Sequence, residues 1–329
     1  TGLTYHSRVP LTLQEAETAF SPALSRLVEK MPEQQSESEP ATEATQVPPE
    51  PVAHAADVWY AYDDGTTALR GVNLALYRGE MLALLGPNGS GKTTLAKILA
   101  GIYRPARGQI RVFGREIRSR RDRASLPSSV GYVFQNPDHQ LFTRSVQAEI
   151  ISGLKNLGRT AAERHMLTQA TLEAVGLTDC LEEDPLFLSK GQRQRLAVAA
   201  ILAMGPEILI VDEPTTGQDA RSVVAIMGLL RDLQRQGKTI LVITHDMTLV
   251  AEHCQRVVAF RSGRVTFTGT PVQLFASTEL LEKTGLQRPA SAQLANWFRP
   301  HHPRLPPLLT VEQWSMFLSQ EGLPTGSVF

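Results

Sequence analysis

Cysteine is nearly absent: Cys180 and Cys254 are the only two in 329 residues. They stand far apart, without zinc-ligand or disulfide-framework spacing, so a stapled secreted scaffold is excluded and a reduced, cytosolic setting is expected. No apolar run approaches the roughly 18 residues that a membrane-spanning helix needs; the longest are short segments such as Leu196 to Met204. Any membrane role must therefore pass through a partner. An excess of one charge is missing too, since 33 Lys and Arg balance 33 Asp and Glu. That balance argues against a dominant nucleic-acid footprint. The one local imbalance is the stretch from Arg104 to Arg123, which holds eight arginines. It reads either as a solvated basic face or as a contact for an acidic partner or lipid headgroups. The chain begins at Thr1 without an initiator methionine or a signal-peptide pattern, and a piece of a longer protein is the expectation.

What the chain does have is Gly86-Pro87-Asn88-Gly89-Ser90-Gly91-Lys92-Thr93, set between the apolar run Met81 to Leu85 and the helical pattern Leu95 to Ala100. Strand, glycine loop and helix form the context of a phosphate-binding P-loop. Glycines let the backbone curl so that N–H groups of Gly86, Asn88, Gly89, Ser90 and Gly91 point inward at a polyphosphate, and the helix adds its positive end, through Thr94. Lys92 supplies a full charge against the β and γ phosphates, and Thr93 a hydroxyl for the accompanying magnesium ion.

Around this loop the chain divides by composition. Residues 1–28 contain the capping box Thr12-Leu13-Gln14-Glu15, and Leu308-Leu309-Thr310-Val311-Glu312-Gln313 repeats that phrase, each downstream of a Thr-Gly-Leu. Residues 1–28 are therefore expected to be the tail of a preceding homologous unit, with chance likeness of two capped helices as the alternative. Residues 29–51, rich in Glu, Pro, Ser, Thr and Gln, read as a disordered linker. The compact domain is expected over 52–276 and an extension over 277–329.

Within the domain, Asp57 to Tyr62 and Val72 to Tyr77 read as strands joined by the turn Asp63-Asp64-Gly65, followed by strands near Ile110 to Phe113 and Val130 to Phe134. Helical spacing takes over in Val146 to Leu157, Ala161 to Val175 and Gln192 to Met204, giving a helical subdomain over about 141–204. Two wholly apolar runs follow, Ile208 to Val211 and Thr239 to Ile243, as in a parallel sheet covered on both faces, with a crossover helix after Asp219 between them. The fold class expected is α/β, a P-loop core with a mixed, mainly parallel sheet, an antiparallel β subdomain and an α-helical subdomain.

The first apolar run ends in Asp212-Glu213, where ligands gather in open parallel sheets. Asp212 is placed to hold magnesium and Glu213 to orient and deprotonate an attacking water.

Taken together, Gly86 to Thr93, Gln135, Leu188-Ser189-Lys190-Gly191-Gln192, Asp212-Glu213-Pro214, Thr216-Gly217-Gln218-Asp219 and His245 resemble the Walker A, Q-loop, signature, Walker B, D-loop and switch histidine of an ABC ATPase. The resemblance runs from about Val52 to Ala276. It implies two cassettes sandwiching two ATP molecules head to tail, with Lys92, Asp212 and Glu213 of one working with Ser189, Gly191 and Gln192 of the other. The rationale is physical: Ser189 to Gln192 precede the helical run from Arg193, and a helix start of that kind is a second anion site that its own P-loop cannot reach across the helical insert. Gln135 resembles the residue that senses the γ phosphate and contacts magnesium, His245 the γ-phosphate contact, and Tyr62 the aromatic that stacks on adenine. Trp59 and Tyr60 stand close by, and core packing competes for Tyr62. Lys190 departs from the usual Leu-Ser-Gly-Gly-Gln; it must clear the partner's nucleotide, adding charge there or weakening closure.

Phe134 to Phe142, Thr215 to Asp219 and Gly269 to Phe275 are similar to stretches in ATPases of energy-coupling factor importers. That likeness implies a peripheral protein on the cytoplasmic face of the membrane, with a transmembrane scaffold and a substrate-binding membrane protein as partners. The second cassette would be a copy of this chain or a tandem neighbour, and the cargo a vitamin, vitamin precursor or transition-metal ion. Two other readings stay open: a soluble ABC protein acting on nucleic acid or ribosomes, whose usual coiled-coil insertions or basic arm are not found, and a regulatory cassette that binds nucleotide without hydrolysing it.

Overall fold

A computed structural model of the protein describes residues 50–319 and Ser25. The capping box at Thr12, the expected unit over 1–28 apart from Ser25, and all but the last two residues of the expected linker lie outside the described residues.

Ala53–Ala61 (β1) and Thr67–Leu76 (β2) pair antiparallel, and their connection is closed by Tyr62 N–H donating to the Thr66 carbonyl at 3.0 Å. Met81–Leu85 (β3), buried at every position, runs through the glycine loop into Lys92–Leu99 (α1). Arg107–Val112 (β4) and Arg115–Glu116 (β5) complete a four-stranded sheet in the order β2-β1-β4-β5. Here the basic stretch is laid out on the surface. Arg107 pairs with Asp57, Arg115 with Asp122 and Arg118 with Glu116, all with largely exposed guanidinium groups, where such pairs add little stability.

After Arg120–Ala124 (α2) and Val130–Val133 (β6) come Val146–Asn156 (α3), Ala161–Val175 (α4) and Lys190–Leu202 (α5). Their starts are chemical: the side chains of Ser145, Thr160 and Ser189 each accept an N–H from the first turn, and Glu163 and Gln192 close capping boxes. The three helices bury a core of their own, with Val146, Ile150, Leu172 and Leu196 at its centre. The last helix starts at Lys190, earlier than the periodicity gave. Its first turn is polar, so apolar spacing does not register it, while Ser189 and Gln192 fix the cap.

Ile208–Asp212 (β7), Ala220–Arg235 (α6) and Thr239–Ile243 (β8) form the expected strand, crossover and strand. Met247–His253 (α7), Arg256–Arg261 (β9) and Arg264–Gly269 (β10) complete a six-stranded sheet in the order β10-β9-β3-β8-β7-β6, parallel except where β10 meets β9. The α/β class and its three parts are thus as expected.

Pro271–Ala276 (α8), Thr278–Thr284 (α9), Ala290–Phe298 (α10) and Val311–Ser319 (α11) close the described chain. Leu281, Ala292 and Leu309 join the core beneath the main sheet, so the extension packs against the domain. The phrase Leu308 to Gln313 opens α11: Thr310 Oγ1 accepts from Gln313 N–H at 3.1 Å, and Gln313 Oε1 accepts from Leu309 N–H at 2.6 Å. Trp314, Phe317 and Leu318 bury that helix against Phe298 and Leu305.

Burial separates the two thiols. Cys254 lies in the core with its thiol pKa pushed up to about 12 by desolvation, whereas Cys180 is only half-buried. At about pH 8 the native protein is therefore expected to expose one thiol to a chromogenic disulfide reagent, the second reacting only on unfolding. Two fast thiols would mean that the core beside β9 is open.

Candidate functional site

Parallel pairing decides where the site lies. β3, β8, β7 and β6 are neighbours in register, so the loops leaving their carboxyl ends open on one edge of the sheet. Those loops carry the glycine run, His245, Asp212-Glu213 and Gln135.

The glycine loop can turn as it does only without side chains at two points. Gly86 has φ +136°, and a Cβ there would lie 2.2 Å from the Phe260 carbonyl oxygen. Gly91, at φ +106°, would put a Cβ 2.6 Å from the Ala68 carbonyl oxygen. Gly91 also caps α1 with no side-chain hydrogen bond and no acidic residue in the first turn, which leaves the amides of that turn free for a ligand. Lys92 is only 6 % exposed, and its Nζ donates to the carbonyls of Gly86 at 2.7 Å and Pro87 at 3.0 Å. Burial holds its pKa below the usual lysine range, while Glu213 and Asp212 pull it upward. Beside it, Ser90 Oγ is buried with no hydrogen-bond partner among the described residues. Buried polar groups left unmatched cost about 1–3 kcal/mol each. A polyanion answers these groups at once.

Across the cleft stand the carboxylates. Asp212 Oδ2 accepts from Tyr132 Oη at 2.8 Å and from Thr93 Oγ1 at 3.0 Å. Burial raises its pKa above the ordinary aspartate value, and those two hydrogen bonds pull it back down. Glu213 holds a left-handed backbone at φ +48°, a conformation that costs a non-glycine residue on the order of 1–3 kcal/mol. Its N–H donates to the Ile243 carbonyl at 2.8 Å, which fixes the residue against β8. Its Oε2 accepts from Thr216 Oγ1 at 3.0 Å and lies 2.8 Å from His245 Nδ1.

Between these two sides is a cleft of about 430 Å³, lined by Tyr62, the run from Asn88 to Thr94, Gln135, Asp212 and Glu213. Gly86 underlies the loop and His245 reaches in through Glu213. Ser189, Gly191 and Gln192 stand apart at the start of α5, outside the lining of this cleft. Tyr62, partly exposed, shares a 2.7 Å hydrogen bond with Thr94 Oγ1 and meets Tyr60 edge to face. Tyr60 stacks on Tyr103 at 5.3 Å, and Trp59 turns away to bond Asp57. Tyr132 and Tyr103 are contributors that motif reading missed, as are Thr66 to Ala68 in the lining; Thr216, read as the start of the Thr216 to Asp219 motif, adds its hydrogen bond to Glu213. Tyr132 alone left a signal, a polar-tipped ring inside an otherwise apolar strand.

Among the described residues no three His, Cys, Asp or Glu side chains gather as a ready metal cage. Thr93, whose hydroxyl meets the Asp212 carboxylate, and Gln135 on the same cleft instead bring together oxygen donors of the kind that fit a hard divalent cation.

Fold and cleft together define a P-loop nucleotide-binding cassette. A profile of the ABC transporter family matches residues 69–216, and the chain belongs to the ABC transporter ATP-binding proteins. It is 39 % identical over 258 residues to the energy-coupling factor transporter ATP-binding protein EcfA of Methanothermobacter thermautotrophicus, covering 78 % of this chain and 83 % of that one. It is 44 % identical over 279 residues to a Methanosarcina acetivorans protein bearing an ABC transporter ATP-binding name, 85 % of this chain but 45 % of that one. The chain thus spans about half the length of that relative. Among solved structures, CbiO1 of Clostridium perfringens, described as part of the ABC transporter complex CbiONQ, superposes with a TM-score of 0.64 at 38 % identity, covering 71 % of this chain and 94 % of that one. A dimeric ATP-binding cassette bound to ADP and phosphate gives 0.61 at 26 % identity, covering 67 % and 98 %.

Asp212 titrates in the folded protein above its ordinary value of 3.8, so its protonated form favours folding and that contribution fades as pH rises through the folded pKa. Tyr132→Phe removes a hydrogen bond that opposes the shift. The variant is expected to be less stable by about 1–3 kcal/mol in urea unfolding near neutral pH. The deficit should shrink below the aspartate range. A deficit independent of pH would mean that Tyr132 acts through packing alone.

Proposed function

We propose that this chain is the ATP-hydrolysing subunit of an importer of the energy-coupling factor type. The observation that carries the ATPase reading is the buried, under-partnered face of the glycine loop, Lys92, Ser90 and the open amides of α1, set opposite Asp212 and Glu213.

In this reading the phosphates of ATP lie along Asn88 to Thr94 with adenine at Tyr62. Thr93, Asp212 and Gln135 would hold a magnesium ion, which would neutralise phosphate charge when bound. Glu213 orients a water and takes its proton as the water oxygen attacks the terminal phosphorus, while the bond to the bridging oxygen of ADP breaks. His245, already against Glu213, reaches the γ phosphate. Lys92 steadies the charge that builds on the phosphate oxygens.

Ser189, Gly191 and Gln192 lie outside the chain's own cleft, which supports a partner cassette whose ATP they would complete. That cassette is a second copy or a neighbour in a longer polypeptide, and the 45 % coverage of the Methanosarcina relative favours the latter. The energy-coupling factor assignment rests on the EcfA relatives and on Phe134 to Phe142, whose Phe142 is 76 % exposed; Leu186 and Phe187 are exposed as well. These suit the apolar contact of a transmembrane scaffold, itself served by a substrate-binding membrane protein for a vitamin, precursor or metal ion. The chain would sit peripherally on the cytoplasmic face.

Glu213→Gln is expected to lower steady-state phosphate release by at least ~100-fold while ATP still binds. Unchanged turnover would remove Glu213 as the base. Affinity purification of the membrane complex tests the transporter type, and recovery of a soluble nucleic-acid assembly instead would overturn it.

A further inference from the structure

Lys190 is the residue at which the motif Leu188 to Gln192 departs from its usual glycine, and the structure gives its side chain a destination within the same chain. Nζ of Lys190 donates to the Thr216 carbonyl at 3.1 Å. It also lies over Gly217, where an added Cβ would come within 2.4 Å of it. The next residue makes a parallel contact: a Cβ at Gly191 would lie 2.4 Å from Ser222 Oγ and 3.4 Å from Gln218 Oε1. Ser222 is in turn held by Asp219, which accepts from its N–H at 2.9 Å and from its hydroxyl at 3.0 Å. The first turn of α5 is thus laid along the segment from Thr216 to Ser222.

Thr216 is gripped at two points. Its carbonyl faces Lys190 and its hydroxyl donates to Glu213 Oε2 at 3.0 Å, the oxygen that also faces His245. The turn between Glu213 and Gln218 is anchored at its start by the Glu213 N–H bond to the Ile243 carbonyl and by the buried Pro214. Glu213 and Gly217 both have left-handed backbones, at φ +48° and +67°. Its internal bonds are long, Thr216 N–H to the Glu213 carbonyl at 3.3 Å and Gln218 N–H to the Thr215 carbonyl at 3.2 Å. A cation in the first turn of a helix also works against the helix dipole, which makes an outside carbonyl the natural resting place for this ammonium.

We propose that Lys190 is a positioning residue: it clamps the turn after β7 so that the Thr216 hydroxyl fixes Glu213, linking the start of α5 to the hydrolytic carboxylate of the same chain. The inference rests on the ATPase reading of Glu213. Since the start of α5 is the part that would meet a partner's nucleotide, a shift there is carried by Lys190 and Thr216 to the carboxylate serving the chain's own.

Two measurements on the full chain test this. In steady-state phosphate release with its partner cassette, Lys190→Met is expected to lower kcat about fivefold with KM for ATP changed by less than about twofold, and Lys190→Arg to restore kcat. Thr216→Val should lower kcat similarly, and the double variant should fall no further than the worse single, because both act through one hydrogen bond. In amide hydrogen exchange, the Thr216 and Gln218 amides should exchange about fivefold faster in Lys190→Met and at the wild-type rate in Lys190→Arg. If the wild-type complex releases no phosphate, the ATPase reading falls, and the exchange rates alone decide the clamp. Unchanged exchange, additive losses, or a raised KM with kcat intact would overturn it, the last because the ammonium would then be touching nucleotide.

Discussion

The ammonium of Lys92 is enclosed by protein and bonded to two backbone carbonyls rather than to a carboxylate, and much of the site follows from that. A charge in such a place is disfavoured by desolvation, and the neighbouring Asp212 and Glu213 offset this only at a distance. Nearby, Ser90 Oγ has no partner among the described residues and the first turn of α1 has no side-chain cap. Each of these leaves a donor without an acceptor in the same small volume. Such a concentration is stable only if the surrounding fold holds it, and useful only if an anion arrives.

The holding is done by the sheet. Gly86 is pressed against the Phe260 carbonyl of β9, and Gly91 against the Ala68 carbonyl of β2, so the loop is wedged between the two sheets. The carboxylate side is braced in the same manner. Asp212 is fixed by hydroxyls from β6 and α1, and Glu213 by its N–H bond to the end of β8. The left-handed backbone of Glu213 is a local cost that these contacts offset, and it sets the carboxylate beside His245 and Thr216. Rigidity here is a property of the parallel strands, which leave their neighbouring ends little freedom.

Strongly local signals were legible. The glycine loop, the acidic strand end, the apolar runs of β7 and β8 and the helix over Ala161–Val175 depend on residues close in sequence, and the structure has them where they were read. The α5 start was read late because its first turn is polar, although Ser189 and Gln192 carried the cap. β9 and β10 were not read at all. The alternation of β10 is weak, with no position fully buried, and β9 earns its burial by pairing with β3, some 170 residues away in register from Leu82 to Arg256. Tyr132 and Tyr103 were missed for a related reason: a hydroxyl or ring reveals its partner only once distant segments are side by side.

The sequence alone determined the chemistry on offer, because a phosphate loop needs particular residue types at fixed short intervals, and those intervals survive in the linear string. It likewise determined the helix starts that use side-chain caps. Tertiary structure decided which of those groups meet. The register of β3, β8 and β7 brought Lys92, Asp212, Glu213 and His245 to one edge. Packing of α5 against the turn after β7 sent the Lys190 side chain to Thr216, a destination that no local pattern encodes. Contacts of that kind span dozens of residues, and only the closed fold sets their distance.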